Sequence, residues 1–213
     1  MENIKEKLKA LQQENDNMFK KNLEFGLYTK VNIYSFSSLL KIIKRMEIKT
    51  ECQLLDFFDE IKYDISKLAL TEFIINSQSI SKIIYNNNTK ISSIEIKAFD
   101  YLAQKSMSYA RNLFIRKNSF SSITQNYIMD TYLDTFIKGC NNVRDITGLF
   151  SRVKILKKDY YSKQLFDKLI KILKTKKLNI NKNDLLKFLE TIELNNEEEK
   201  NQLNAILISL KLQ

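Results

Sequence analysis

A chain of 213 residues with 35 Lys and Arg against 25 Asp and Glu carries a formal charge of +10, and 44% of it is hydrophobic. That is enough apolar material for one domain core or a short stack of helical pairs, and it excludes wholesale disorder. Histidine and proline are absent and glycine occurs three times, which removes the commonest general acid–base and metal ligand and disfavours the turn-rich strands of a β protein.

In chain order, Ile4, Leu8 and Leu11 form a thin apolar stripe over residues 3–15. It predicts a helix that acts as a cap or arm. Met18, Phe19, Leu23, Leu27 and Val31 continue at helical spacing, with Gly26 as a weak point. Ser35 is placed to cap a helix burying Phe36, Leu39, Leu40, Ile43 and Met46. Thr50 with Gln53 reads as a capping box before Leu54, Leu55, Phe58 and Ile61. Asp64 is expected to cap the next helix, with Ile65, Leu68, Ala69 and Phe73 inward. A short helix over Ser79–Tyr85 follows, then the polar loop Asn86–Thr89.

Ser92 with Glu95 reads as a second capping box, before Ile94, Ala98, Phe99 and Leu102. Ser106 starts a helix with Ala110, Leu113 and Phe114, and Ser122 starts one carrying Ile123, Tyr127, Ile128, Phe136 and Ile137. Gly139 suits a left-handed helix end. Cys52 and Cys140 form no CxxC and are expected as buried or half-buried free thiols of a reducing compartment.

Beyond residue 141 the pattern repeats. Asp145-Ile146, Leu149-Phe150 and Val153 return as Asp184-Leu185, Phe188-Leu189 and Ile192. Leu165-Phe166, Leu169-Ile170 and Leu173 are echoed by Leu203, Ile206-Leu207 and Leu210. A period of about forty residues with two helices per copy marks a helical-repeat protein. The fold expectation is therefore all-α, an α-solenoid of stacked helical hairpins. One domain is expected over 1–213: an arm or cap at 1–34, repeats over 35–182 and a capping repeat at 183–213.

Charge gathers in the same region, with twelve basic and three acidic residues between 141 and 182. Such a concentration fits a polyanion. On a helical wheel Val143, Ile146, Leu149, Phe150 and Val153 share one face, and Arg144, Thr147, Gly148, Ser151 and Arg152 lie opposite. Lys154, Lys157 and Lys158 fall at the turn, and Gln164, Lys168 and Lys171 on the outer face of the next helix. Lysine and arginine neutralise phosphate, Thr, Ser and Gln reach base edges, and Gly148 leaves room for close approach. The combination suits single-stranded RNA. The bland reading is a solvated lysine-rich surface. Tyr160-Tyr161 is placed either to stack on bases or to pack at a helix start.

No catalytic constellation emerges. Asp130 with Asp134, and Asp56 with Glu60, are i,i+4 carboxylate pairs with no histidine, cysteine cluster or glycine loop beside them. They read as solvated helix faces, and the expectation is a non-enzyme without cofactor or metal. No apolar run reaches the roughly eighteen residues of a membrane span, and the N-terminus shows no secretory core. Lys163–Lys177 alone is a basic amphipathic helix, but its stripe matches the repeat and is expected in the core.

The units Asp145–Leu173 and Asp184–Leu210 resemble the helical-hairpin repeats of the octotricopeptide and heptatricopeptide class, which also occur in FAST-kinase-like and RAP-domain proteins. The resemblance covers the last third and, more loosely, residues 35–61 and 122–138. It implies an α-solenoid that binds RNA non-catalytically through Arg144, Thr147, Gly148 and Ser151. It also implies a mitochondrial setting, with ribosomal or RNA-processing subunits and rRNA or single-stranded RNA as partners. No RAP-like β segment follows the repeats, and the last copy is acidic. The alternative is a protein-interaction scaffold of a larger complex without RNA contact, in the cytoplasm or an organelle.

Overall fold

The structure, a computed structural model, describes residues 4–24, 34–86, 91–116, 120–156 and 161–175, with isolated helical positions between 197 and 208. Among the described residues there are ten helices and no strand. They are α1 (Ile4–Glu24), α2 (Phe36–Arg45), α3 (Glu51–Ile61), α4 (Lys67–Ile75), α5 (Ser77–Tyr85), α6 (Ser92–Lys105), α7 (Met107–Arg116), α8 (Ser122–Gly139), α9 (Val143–Ile155) and α10 (Ser162–Thr175). The second copy of the repeat, Gly26 and Tyr160 lie outside the described residues. The chain divides into two compact units: 1–110 with 119–124, and 111–118 with 125–213.

Local sequence signals explain most helix starts in the first unit. Ser35 accepts from the Ser38 amide, and Thr50 and Gln53 form the reciprocal capping box. Helix α4 starts at Ser66 rather than Asp64, because the Ser66 hydroxyl takes the Ala69 amide. The end of α2 is a Schellman turn: Ile48 N–H reaches Ile43 O, and Glu47 N–H reaches Lys44 O. Glu47 sits at φ 51 there, a left-handed conformation unusual for a residue with a Cβ. It is held by burial of Ile48 against the core.

Helix α4 is the hub of this unit, packing on α2, α5 and α6. It is apolar nearly all round, as a central helix must be, and buries Ala69, Leu70, Thr71, Phe73 and Ile74. Thr71 satisfies its hydroxyl on Lys67 O at 2.8 Å. Around it Phe73 meets Phe36 and Phe58 edge-on at centroid distances of 4.9 and 4.6 Å. Leu68, expected inward, is 64% exposed. A helix with so little amphipathicity gives no phase from sequence, and packing on α2, α5 and α6 sets the rotation that leaves Leu68 outside.

A polar pin fastens α5, α6 and the start of α8. Glu95 is fully buried. Its carboxyl accepts from Ser77 Oγ at 3.0 Å, Thr124 Oγ1 at 2.7 Å and the Ser121 amide at 2.9 Å. This replaces the expected Ser92–Glu95 capping box. Ile91 is the N-cap, without a side-chain cap bond, so Glu95 falls one position too late to reach back and turns into the core instead. Ser92 pairs with Ser121 Oγ at 2.9 Å. The pin also corrects Ile123, which is 64% exposed: Thr124 must face Glu95, and that sets the rotation of the first turn of α8.

Helices α3 and α6 are tied by Asp59, which accepts from Lys97 Nζ and the Tyr101 hydroxyl. Burial pushes the Asp59 carboxyl up, but these two donors outweigh it and hold it below the usual range. The same burial and the same bond raise Tyr101. Helix α1 runs unbroken from Ile4 to Glu24 and contacts α3, with Leu8 as its buried contact.

In the second unit Phe114 and Phe136 pack at 6.1 Å, with Tyr132 stacked on Phe136 at 6.0 Å. Helices α9 and α10 pack on each other. Val143, Ile146, Leu149 and Val153 are buried on one side, and Leu165, Phe166, Leu169, Ile170, Ile172 and Leu173 on the other. The apolar stripe of α10 is therefore core. Gly139 does not enter the left-handed region. A Cβ there would lie 2.7 Å from Arg111 Nη1, so the tip of that guanidinium would have to shift. Cys140 is buried and Cys52 exposed, and both are free thiols. Cys140 donates to Phe136 O, and burial pushes its thiol up to about 11. Cys52 corrects the expectation of burial because its position on α3 lies opposite Leu54, Phe57, Phe58 and Ile61.

Candidate functional site

Helix α9 begins where Asn142 caps the Asp145 amide at 2.8 Å. From there Arg144, Thr147, Ser151 and Lys154 recur at helical spacing along one stripe, with Arg144, Ser151 and Lys154 exposed and Thr147 half-buried. The hydroxyls already have backbone acceptors: Thr147 Oγ1 donates to Arg144 O at 2.8 Å and Ser151 Oγ to Thr147 O at 3.1 Å. Each keeps lone pairs that can still accept from a base or ribose. On α10, Gln164, Lys168 and Lys171 form the matching outer stripe. Gln164 and Lys171 are exposed, and Lys168 is half-buried with Nζ on Lys138 O at 2.9 Å. Lys157 and Lys158 lie outside the described residues.

Two members of the expected face turn inward. Arg152 is 4% exposed. Its Nη2 donates to Ile115 O at 3.3 Å, and its guanidinium lies 5.5 Å from the Phe114 ring centroid. A cation at the last carbonyls of α7 also complements that helix dipole. Burial lowers its pKa. Arg152 follows the outward stripe by only one residue, and its length carries the charge across the edge of α9 to a carbonyl acceptor. Gly148 is likewise occupied, since a Cβ there would stand 2.2 Å from Ile115 Cγ2. Its missing side chain admits α7, not a ligand.

Gly148→Val is expected to destabilise the second unit by about 1–3 kcal/mol, the usual cost of overpacking. Urea unfolding of that variant and of Gly148→Val/Ile115→Ala checks the cause. The double variant should lose less than the sum of the two single losses. Strict additivity would mean that the two side chains do not compete for one space.

The site also contains a residue that no motif announced. Arg111 is 7% exposed, with Nη2 on Asp145 Oδ2 at 2.9 Å. This ion pair fixes the first turn of α9 to α7, and so sets the angle at which the Arg144 stripe is presented. The available clue was Arg111 beside the apolar Ala110, Leu113 and Phe114, a position on the edge of a core face. Asp130 and Asp134 are exposed, as expected for a solvated helix face. Tyr161 is buried and packs at the start of α10.

Among the described residues, no group of three or more Cys, Asp or Glu is arranged to hold a metal ion. Among the same residues, no helix is long and apolar enough to cross a membrane. Compared with family models, curated proteins and solved structures, the chain matches none.

Proposed function

We propose that the protein is a non-catalytic RNA-binding component of a ribonucleoprotein complex, holding single-stranded RNA or rRNA on the outer stripes of α9 and α10. The observation that carries the reading is the regular array Arg144, Thr147, Ser151 and Lys154 on an exposed helix face, inside a segment with twelve basic and three acidic residues. Arg144 and Lys154 bracket the stripe about 15 Å apart along the helix and can each take a phosphate of one strand, and the hydroxyls between them offer acceptors to ribose and base edges. Arg152 and Gly148 are not ligands in this reading: they seat α9 on α7. Lys157 and Lys158 extend the stripe in sequence.

The repeated two-helix pattern and the packing of α9 on α10 support an α-solenoid of such hairpins. The resemblance to organellar repeat proteins supports a mitochondrial setting. Clamping of this kind has no turnover, and its free energy is dominated by counterion release.

Filter binding of an oligouridine across a salt series tests it. The triple variant Arg144→Glu/Lys154→Glu/Lys171→Glu should bind more weakly. Its log-affinity against log-salt slope should be shallower by about 2, from three lost phosphate contacts at about 0.7 each. Unchanged affinity and slope would remove this face as the RNA site and favour a protein-interaction scaffold.

A further inference from the structure

The first unit carries a surface that the α9 and α10 reading does not use. The turn between α3 and α4 lies against the junction of α6 and α7. Lys105 Nζ donates to Tyr63 O at 2.9 Å, and Lys67 Nζ lies 5.8 Å from the Tyr109 ring centroid. Lys62 Nζ stands 5.3 Å from the ring of Tyr63. Tyr63 is 82% exposed, Leu68 64% and Tyr109 38%. Each ring carries an ammonium group over one face and leaves part of its surface to solvent, Tyr63 far more than Tyr109.

Most acids near this surface are half-buried. Asp59 is held by Lys97 and Tyr101. Glu60 has a carboxyl oxygen buried, and Asp100 is half-buried. Asp64 is the acid that remains exposed. The patch that faces water therefore holds Tyr63, Tyr109 and Leu68 with Lys67 and Lys105, and Asp64 as its exposed acid, although residues 51–100 as a whole contain more acids than bases.

We infer that this tyrosine–lysine patch on the first unit is a stacking site for single-stranded nucleic acid, separate from the face of α9 and α10. An aromatic ring takes the π-face of any base, and an ammonium beside it serves the phosphate of the same nucleotide. Lysine keeps donors to spare even while one is on a carbonyl. A protein partner fits less well, because lysine is depleted from the centres of protein interfaces. A lipid surface fits less well too. Leu68 is the patch's one exposed aliphatic residue, and the patch is assembled from helix ends rather than from an apolar helix face.

The test uses the full chain and a decauridine carrying 4-thiouridine, with photocrosslink mapping and anisotropy titration. Crosslinks are expected at Tyr63 or Tyr109. Tyr63→Ala/Tyr109→Ala should bind at least about thirtyfold more weakly, and Tyr63→Ala alone, at a ring 82% exposed, should bind at least about fivefold more weakly with an unchanged melting temperature. Asp64→Asn should bind more tightly. Crosslinks confined to 143–173, with wild-type affinity in the tyrosine variant, would overturn this inference and leave the α9 and α10 proposal standing. Crosslinks at the patch alone, with full binding by the Arg144/Lys154/Lys171 variant, would do the reverse. Absence of binding would sink both. So would binding of anionic phosphatidylserine vesicles in place of the oligonucleotide, if the tyrosine variant loses it.

Discussion

Replacing Glu95 by alanine is expected to lower the stability of the first unit by about 3–5 kcal/mol. Each buried donor left without an acceptor costs about 1–3 kcal/mol. The substitution strands the Ser77 hydroxyl, the Ser121 amide and the Thr124 hydroxyl together. The total stays below the plain sum because Thr124 keeps the Ser121 hydroxyl at 2.8 Å as a second partner. Against a typical domain stability of about 5–15 kcal/mol, that loss leaves the unit partly unfolded at moderate temperature.

Glu95→Gln should fall between wild type and alanine, since it keeps one oxygen but presents an NH2 group to donors. Ser77→Ala removes one donor only and should cost about 1 kcal/mol. Urea midpoints followed by circular dichroism, with hydrogen exchange on α5, α6 and the start of α8, measure all three. A loss under about 1 kcal/mol for Glu95→Ala would show that the pin does not hold these helices.

The second large effect belongs to Arg111. Arg111→Met leaves the Asp145 carboxylate, whose side chain is 13% exposed, without its cation. Breaking such a buried pair from one side costs about 3–5 kcal/mol, whereas replacing both partners by apolar groups is often neutral. Asp145 sits in the first turn of α9, where the helix dipole favours negative charge, so about 3 kcal/mol is expected. Arg111→Met/Asp145→Leu should recover most of that. If the double variant instead loses the sum of the two single losses, the pair is not coupled and α9 is held by its apolar face alone. Oligouridine binding supplies a second readout. If the pair sets the angle of the Arg144 stripe, the double variant folds yet binds more weakly than wild type.

These two residues show where the sequence stopped being readable. Ser92 and Glu95 have the spacing of a capping box, yet the helix begins one residue early, at N-cap Ile91, and the carboxyl turns to Ser77, Ser121 and Thr124. Nothing local separates the two outcomes, because the deciding donors lie eighteen to twenty-nine positions away. Arg152 is similar. Its wheel position is at the border of the charged stripe, and the choice between water and the Ile115 carbonyl depends on where α7 ends. Leu68 and Ile123 went astray for the opposite reason. They are apolar, but their neighbours in the core were set by tertiary partners.

By itself the sequence determined the helical class, the caps at Ser35 and Thr50, the apolar stripes of α6, α9 and α10, and the outward position of Arg144, Ser151 and Lys154. These follow from side-chain periodicity and from hydrogen bonds within four residues, which a single strand of letters contains. Only the tertiary structure decided that Glu95, Arg111 and Arg152 go inside, that Gly148 makes room for a neighbouring side chain, and that Tyr63 and Tyr109 stay outside. A polar group is buried when a partner from a distant segment offsets its desolvation, and that partner exists only once the chain has folded.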